Sequence, residues 1–279
     1  MDIFIILYYI INMSLNYQKY LQIIKESAID LSSLDFLYPW DMVMVSLLLI
    51  ERKDQPGKKI ILPKNQDLLK YLKRMHLQEI LKELAYIEEA EFDSVEVPEH
   101  YNLNLQELSH CKYRDEFDAR LGHFLGMFLN FGMELNDAKL ATAIVGELGN
   151  NVFDHNLGKW PTDVSGCIIA AQNFPKLKKI EFAIGDPGIG FLGSLKAAFP
   201  ELDSDIKAIK KGLAGNTGRI GENRGNGLKY IQSWTIKNFS GMLTIHSGGG
   251  VVEVSEEKTS EYQGIKILGT LAQFVIYYK

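Results

Sequence analysis

Two apolar stretches with a helical pattern dominate the first hundred residues. One follows Pro39 and Asp41, residue types that are typical of the first turn of a helix. The other carries leucines at helical spacing over residues 65–84. Between them, the run KKIILP follows the turn signal QPG and is typical of a short strand. The pattern predicts a small α/β unit over residues 1–100.

The chain begins with an apolar segment, MDIFIILYYIIN, whose meaning stays open. It contains about ten apolar residues, whereas a membrane-spanning helix needs about 20. It also lacks the basic start and the small-residue cleavage site of a secretory signal. Residues 1–12 are therefore either an additional packed element or an over-extended reading frame ahead of Met13. Neither interpretation predicts a membrane protein.

Residues 90–104 have little periodicity and are interpreted as a connection to a second unit over residues 110–279. That unit has helical patterns over 113–132 and 136–155, then strand-like runs, a glycine-rich segment, another helix and a strand-rich end. These segments favour a mixed sheet with helices packed on one face. The predicted fold class is α/β, in the form of an α+β two-layer sandwich.

Composition narrows the possible functions. Hydrophobic residues make up 46% of the chain and charged residues 23%, which is ordinary for a globular protein. The formal net charge of −5 argues against a broad basic surface for nucleic acid. The two cysteines, Cys111 and Cys167, have neither metal-ligand spacing nor the pattern of a disulfide framework, which favours a reducing cytoplasm.

Polar residues interrupt an apolar helical pattern at ELGNNVFDHN, residues 147–156. Glu147 and Asn151 are four residues apart and share a helical face, with His155 one turn further along. A carboxylate beside a carboxamide suits a site that holds a hard cation and orients water. Gly149 costs about 1 kcal/mol relative to alanine in a helix, which is tolerable where another group approaches the backbone closely. The alternative is a solvated helix end.

A strand-like run ends in a second polar segment, IGDPGIGF. Asp186 stands at the mouth of a tight turn that contains Gly188 and Gly190. An ionised carboxylate only accepts hydrogen bonds, so Asp186 can take one from an exocyclic amine such as that of adenine. The glycines let a flat ring or a backbone segment lie close. The same residues also form an everyday Asp-Pro-Gly turn.

A third segment, GLAGNTGRIGENRGNG, contains six glycines interleaved with Arg219 and Arg224. Gly225 and Gly227 open a predicted helix, whose first N–H groups can hold an anionic phosphate. The spacing matches neither a P-loop nor a dinucleotide-binding fingerprint. The segment is therefore either a lid over a triphosphate or a disordered glycine-rich loop.

A fourth segment lies in the last strand-like run, where Gly269 and Thr270 interrupt apolar residues. A glycine inside a strand often marks the close approach of another backbone. The threonine hydroxyl can serve a base edge or a bridging water. By itself this segment has little weight.

These four segments, in this order, resemble the sequence boxes of the GHKL superfamily of ATPases, which have the Bergerat fold. ELGNN resembles the N box, DPGIG the first glycine box, RGNGL the second and LGT the last, so the resemblance covers residues 110–278. It implies that Glu147 is a general base, that Asn151 binds Mg²⁺, and that Asp186 and Thr270 contact adenine. The residues that the resemblance assigns to nucleotide binding are Asn151, His155, Asp186, Gly188, Gly190, Arg219, Arg224, Gly225, Gly227, Leu228 and Thr270.

Within that superfamily, the chain is most similar to stand-alone, histidine-kinase-like ATP-binding proteins such as the anti-sigma serine kinases. The sequence has no helix with the histidine, acid and proline pattern of a kinase phosphoacceptor hairpin. His123 lies on an apolar helical face and is predicted to be a packed core residue. The first unit resembles the STAS-type regulatory domains that such kinases contact.

The resulting expectation is a Mg-ATP-binding regulatory protein of bacterial signalling, acting in the cytoplasm as a slow ATPase or a protein serine kinase. The alternative is an ATP-dependent switch without hydrolysis, whose ordered lid recruits a partner protein. A third reading is an α/β interaction protein that binds no nucleotide. The expected partners are ATP and a separate regulatory protein, STAS-like or sigma-factor-like. No nucleic acid or membrane is expected as a partner, and a homodimer is left open.

Overall fold

The computed structural model describes residues 23–24, 28–84, 86, 92, 95–97, 104–156, 159–218 and 226–278. The apolar segment 1–12 and most of the predicted connection lie outside these ranges. Within them, every helix is too short or too polar to span a membrane. The described residues form a two-stranded sheet in the first unit and a seven-stranded sheet in the second.

The first unit is built on two short strands that pair in parallel. β1 (Ala28–Asp30) and β2 (Lys59–Ile61) are joined through α1 (Pro39–Arg52), and α2 (Gln66–Arg74) and α3 (Leu77–Glu83) follow. α1 starts where the sequence predicts, and the carboxylate of Asp41 accepts a hydrogen bond of 2.9 Å from the Tyr38 N–H. The helix predicted over 65–84 is two helices, because His76 has a left-handed φ of 61°.

The second unit alternates helices with the strands of the large sheet. Its elements are β3 (Leu105–Cys111), α4 (Arg114–Asp118), α5 (Leu121–Asn130), α6 (Leu135–Asn156), β4 (Cys167–Phe174), β5 (Lys179–Asp186), α7 (Gly190–Leu195), α8 (Asp205–Leu213), α9 (Gly227–Phe239), β6 (Met242–Ser247), β7 (Gly250–Val254), β8 (Thr259–Gln263) and β9 (Thr270–Tyr277). The sequence pattern assigned no element to the stretch that forms β3. The helix predicted over 113–132 is two helices, α4 and α5.

The large sheet has the strand order β3-β4-β5-β9-β6-β7-β8, and every neighbouring pair in it is antiparallel. The large sheet is therefore antiparallel throughout and not mixed as predicted; among the described residues, parallel pairing occurs between β1 and β2 of the separate two-stranded sheet. The last strand, β9, lies between β5 and β6, so that distant parts of the chain meet at one end of the sheet. The predicted α/β class, with helices layered on a sheet, is confirmed.

Both faces of the large sheet are covered. On one face, Phe182 and Ile184 of β5 belong to a core that includes apolar residues of α5 and α6. On the other face, Ala183 belongs to a core that includes the apolar residues of α1. Gly185 allows α1 to approach, since a side-chain carbon there would lie 2.6 Å from Val43 Cγ1. The helices of the second unit therefore lie on one face as predicted, and α1 of the first unit adds a further layer.

His123 is exposed on α5, so the prediction that it is a packed core residue was wrong. The buried stripe of α5 consists of Phe124, Met127 and Phe128. Successive residues of a helix are rotated by about 100°, so His123 points away from that stripe although it is adjacent in sequence.

Close packing explains the glycine inside α6. A side-chain carbon at Gly149 would lie 2.0 Å from the ring of Phe117. Phe117 is fully buried in α4, and its ring centroid is 6.3 Å from that of Phe153. The group that approaches the α6 backbone at this point is therefore an aromatic side chain of the core.

We expect Gly149→Ala to destabilise the fold, although alanine favours a helix over glycine by about 1 kcal/mol. The added methyl group would overlap the Phe117 ring, and overpacking of this kind costs about 1–3 kcal/mol. Gly146→Ala in the same helix is the matched control, because its side-chain carbon would lie 3.7 Å from Leu121, an ordinary contact. Urea unfolding should show lower stability for the first variant and higher stability for the second. A gain at both positions would contradict the packing argument.

Candidate functional site

A cleft opens between the last turns of α6 and the ends of β5, β9 and β6. It encloses about 680 Å³, including space continuous with solvent at its mouth. Residues of α7, α8 and the start of α9 form its other wall. The lining residues are Leu148, Asn151, Val152, His155, Asn156, Ile184, Asp186, Gly190, Phe191, Ser194, Leu195, Gly212, Asn216, Leu228, Ile245, Thr270 and Ala272.

Three polar residues lie in a row across the end of the sheet. Asp186 is opposite Thr270 in the register of β5 and β9, and Thr270 is opposite Ser247 in the register of β9 and β6. Side chains alternate along a strand, so the residue two positions further into each strand lies on the same face. The residues two positions further in are Ile184 of β5, Ala272 of β9 and Ile245 of β6. They form an apolar floor of the cleft.

Asp186 is the buried acid of this row, with 6% of its surface exposed. Its Oδ1 accepts hydrogen bonds from the Gly188 N–H and from Asn156 Nδ2, both at 2.9 Å. Burial raises the pKa of Asp186 to about 7, although both hydrogen bonds act to lower it. At neutral pH this carboxyl group is close to the midpoint of its titration.

Glycines allow the backbone segments around Asp186 to pack against each other. A side-chain carbon at Gly188 would lie 2.0 Å from Asn156 Oδ1. Gly269 has a φ of 75°, and a side-chain carbon there would lie 1.8 Å from the carbonyl oxygen of Asp186. Gly190 starts α7 with a φ of 68°, which also favours glycine. The LGT and DPGIG segments are therefore in direct backbone contact.

Two residues that the sequence reasoning missed organise this end of the cleft. Asn156 is 3% exposed and bonds to Asp186 as described. Ser247 Oγ accepts a hydrogen bond from the Phe191 N–H at 2.9 Å and donates one to the Gly269 carbonyl oxygen at 3.0 Å. An asparagine at a helix end and a serine before glycines are ordinary cap and turn residues, so the sequence around them did not indicate a functional site. The only hint was that Asn156 closes the same polar segment as Asn151.

Asn151 and His155 line the cleft from α6. Asn151 Nδ2 is buried and, among the described residues, has no hydrogen-bond partner. A buried amide nitrogen without a partner is costly, which makes it a candidate ligand contact. His155 Nδ1 shares a hydrogen bond of 3.0 Å with Ser194 Oγ, which also lines the cleft.

Glu147 lies one turn before Asn151, against the start of α9. A side-chain carbon at Gly227 would lie 2.7 Å from Glu147 Oε2, so the carboxylate lies directly against the first turn of α9. The next residue of α9, Leu228, lines the cleft. The polar residues of α6 therefore connect two parts of the site. Glu147 lies against the start of α9, and Asn156, at the end of α6, is hydrogen-bonded to Asp186 at the end of β5.

Arg219, Arg224 and Gly225 of the predicted lid lie outside the described residues. The described segments on either side of the lid both reach the cleft. Asn216 lines it from the end of α8, and Leu228 lines it from the start of α9.

The side-chain oxygens of Asn151 and Glu147 are the groups near the cleft that could contribute to holding a cation. In the described part of the chain, His, Cys, Asp and Glu form no cluster of three that could hold a metal ion. Mg²⁺ in phosphate sites is commonly held by one or two protein oxygens and by the oxygens of the substrate. The amide of Asn151, with Glu147 one turn away, is a donor set of that limited kind.

No protein-family model matches the chain, and no curated protein is detectably similar to it. The likeness to the GHKL boxes therefore rests on the four sequence segments quoted above. Each of the four segments contributes residues to the lining of this cleft, which are Leu148 and Asn151, Asp186 and Gly190, Leu228, and Thr270.

We expect Asp186→Asn to be more stable than the wild type at neutral pH. Because the pKa of Asp186 is raised from 3.8 to about 7, the folded state binds the proton more tightly than the unfolded state. The stability of the wild type therefore falls as the pH rises through this range. Asparagine has no proton to lose there, and its side-chain oxygen can still accept the hydrogen bonds from Asn156 and Gly188. Urea unfolding should show an advantage of the variant that grows with pH and levels off above about pH 7.

Asp203→Asn is the control for this pH series. Asp203 is exposed and pairs with Lys207 at 2.8 Å, so its substitution should give no such gain in stability. The same pH-dependent gain in both variants would argue against a special effect of burial at Asp186.

Proposed function

We propose that this protein binds Mg-ATP in the cleft and acts as a GHKL-type regulatory protein, either as a slow ATPase or as a protein serine kinase. The observation that carries the proposal is a buried carboxylate, Asp186, and a buried amide nitrogen of Asn151 without a described partner, both lining one cleft. Both groups are costly to the folded state. A ligand that donates a hydrogen bond to Asp186 at one end and accepts one from Asn151 at the other end would offset both costs.

The sheet end of the cleft suits a purine base. The apolar floor offers a flat surface to the ring, and Asp186 and Thr270 lie in the polar row beside it. Ionised Asp186 would accept a hydrogen bond from the exocyclic amine of adenine.

The phosphates would extend along α6 toward the start of α9. The first N–H groups of a helix and its dipole favour an anion at that position. Asn151 would hold Mg²⁺ through its side-chain oxygen, and the cation would neutralise charge on the phosphate oxygens. Arg219 and Arg224 of the lid would contribute further positive charge.

Glu147 would act as the general base. Its carboxylate lies against Gly227 and one turn from Asn151, at the end of the cleft to which the phosphates would extend. It would take the proton from a water molecule in an ATPase reaction or from a protein hydroxyl group in a kinase reaction. Binding alone does not require this residue, whereas turnover does.

The alternative proposal is a switch that binds ATP without hydrolysing it. It is favoured by the position of the lid, because the segments on both sides of it, at Asn216 and Leu228, line the cleft. Ordering a segment rich in glycine has a high entropic cost, so a bound ligand could control whether the lid is ordered. In either proposal the partner is a separate regulatory protein, STAS-like or sigma-factor-like, in the bacterial cytoplasm.

Calorimetric titration with Mg-ATP tests the nucleotide site. We expect saturable binding to the wild type and a loss of about tenfold or more in affinity for Asp186→Ala, because the adenine amine loses its acceptor. Asp203→Ala, at the exposed acid that pairs with Lys207, should bind like the wild type. A folded wild-type protein that gives no heat of binding would refute the proposal.

Glu147→Gln separates turnover from binding. The amide keeps the shape of the side chain and removes the base, so phosphate release and phosphoryl transfer should fall on the order of 10²–10⁴-fold. The affinity for Mg-ATP should change little, since the residue is needed for turnover and not for binding. Equal turnover in the variant and the wild type would exclude the catalytic role, and ATP binding without any turnover would favour the switch.

A further inference from the structure

We propose that Asn156 sets the base specificity of the cleft: it positions Asp186 so that nucleotides with a 6-amino purine are preferred over those with a 6-keto purine. This role of Asn156 rests on the proposed nucleotide site and adds a residue and a selection rule to it. Asn156 is a positioning residue, because it acts through Asp186.

The surroundings of Asn156 fix the direction of its amide group. Nδ2 donates to the Val152 carbonyl oxygen at 2.8 Å and to Asp186 Oδ1 at 2.9 Å. Oδ1 accepts a hydrogen bond from the Ile189 N–H at 2.9 Å. A reversed amide would place an oxygen against two acceptors and an N–H group against a donor. The amide therefore has one orientation in which all of these partners are satisfied.

The same contacts fix the carboxylate of Asp186. Its Oδ1 takes both hydrogen bonds, one from Asn156 and one from the Gly188 N–H. In the described ranges no group is hydrogen-bonded to Oδ2, and Asp186 lines the cleft. Rotation of the carboxylate would break both bonds inside the protein. Oδ2 is therefore the oxygen that a ligand would meet.

The donor from Asn156 also controls the charge of Asp186. Burial raises the pKa of Asp186 to about 7, and the hydrogen bonds from Gly188 and Asn156 oppose that rise. An ionised carboxylate only accepts, which matches the amino group at C6 of adenine and disfavours a keto oxygen. A protonated carboxyl group can donate to a keto oxygen. A single proton therefore decides which purine is preferred.

In the part of the chain that the structure describes, no other titratable group is hydrogen-bonded to the Asp186 carboxylate. His155 of α6 is hydrogen-bonded to Ser194, and Glu147 lies further along α6 against the start of α9. Cys167 of β4 is a fully buried thiol whose pKa is raised by its burial. Asn156 is the neutral side chain that touches the carboxylate, so it can be replaced without a change in formal charge.

The test is to titrate the protein with Mg-ATP and Mg-ITP, which differ in an amino or a keto group at C6, from about pH 6 to about pH 8.5. We expect the wild type to prefer ATP, and the preference to increase as the pH rises and Asp186 ionises. Asn156→Leu keeps the size of the side chain and removes the donor. It should lower the ratio of ATP to ITP affinity on the order of tenfold near neutral pH, and shift the pH profile upward.

Asn150→Leu is the matched control, since Asn150 lies in the same helix as Asn156 and its amide oxygen accepts a hydrogen bond of 2.8 Å from Arg114 outside the cleft lining. It should leave the ratio unchanged. Asn156→Ser has a side chain too short to reach Asp186 and replaces Asn156→Leu if that variant does not fold. In the Asp186→Ala background, Asn156→Leu should have no further effect on the ratio, because no carboxylate remains to be positioned or protonated.

Equal weakening of ATP and ITP binding by the Asn156 variants would overturn the specificity role and leave the nucleotide site intact. So would a lower ratio that persists in the Asp186→Ala background, because Asn156 would then act without Asp186. Failure of the folded wild type to bind either nucleotide would overturn the nucleotide site itself and the specificity role with it.

Discussion

The hydrogen bond between Asn156 and Asp186 joins the two elements on which the cleft depends. Asn156 is the last residue of α6 and Asp186 is the last residue of β5, so the bond fixes the end of a helix against the end of an inner strand. A buried carboxylate destabilises the fold, and the donors from Asn156 and Gly188 offset part of this cost. If either element moved, the cleft would change shape and polar groups of both would be left unpaired.

Close contacts at glycines hold the remaining segments in place. Gly269 lies against the carbonyl oxygen of Asp186, and Gly227 lies against the carboxylate of Glu147. Each contact joins segments that are far apart in sequence, and the backbone atoms around Gly269 leave no space for a side chain. Packing therefore requires the glycine at this position, whatever ligand the cleft binds.

The cleft also has a rigid support. Every residue of β5 is buried, with α6 packed on one face of the sheet and α1 of the first unit on the other. Burial of Asp186 raises its pKa and lowers the free energy of unfolding at neutral pH. The apolar packing on both faces of the sheet offsets this cost. Local costs of this kind are typical of functional sites, because the surrounding core compensates for them.

Periodicity, capping and turn chemistry are local properties, so the amino-acid pattern was enough to predict the fold class, the start of α1 at Pro39 and Asp41, and the polar segments that end at the cleft. Which of these segments meet depends on the packing of the whole fold. The tertiary structure added β3 to the edge of the sheet, turned His123 to solvent, and made Asn156 and Ser247 the partners of the cleft segments. Asn156 and its acid are 30 positions apart. A local pattern cannot specify such a pair, because the contact exists only after the strands and helices have packed.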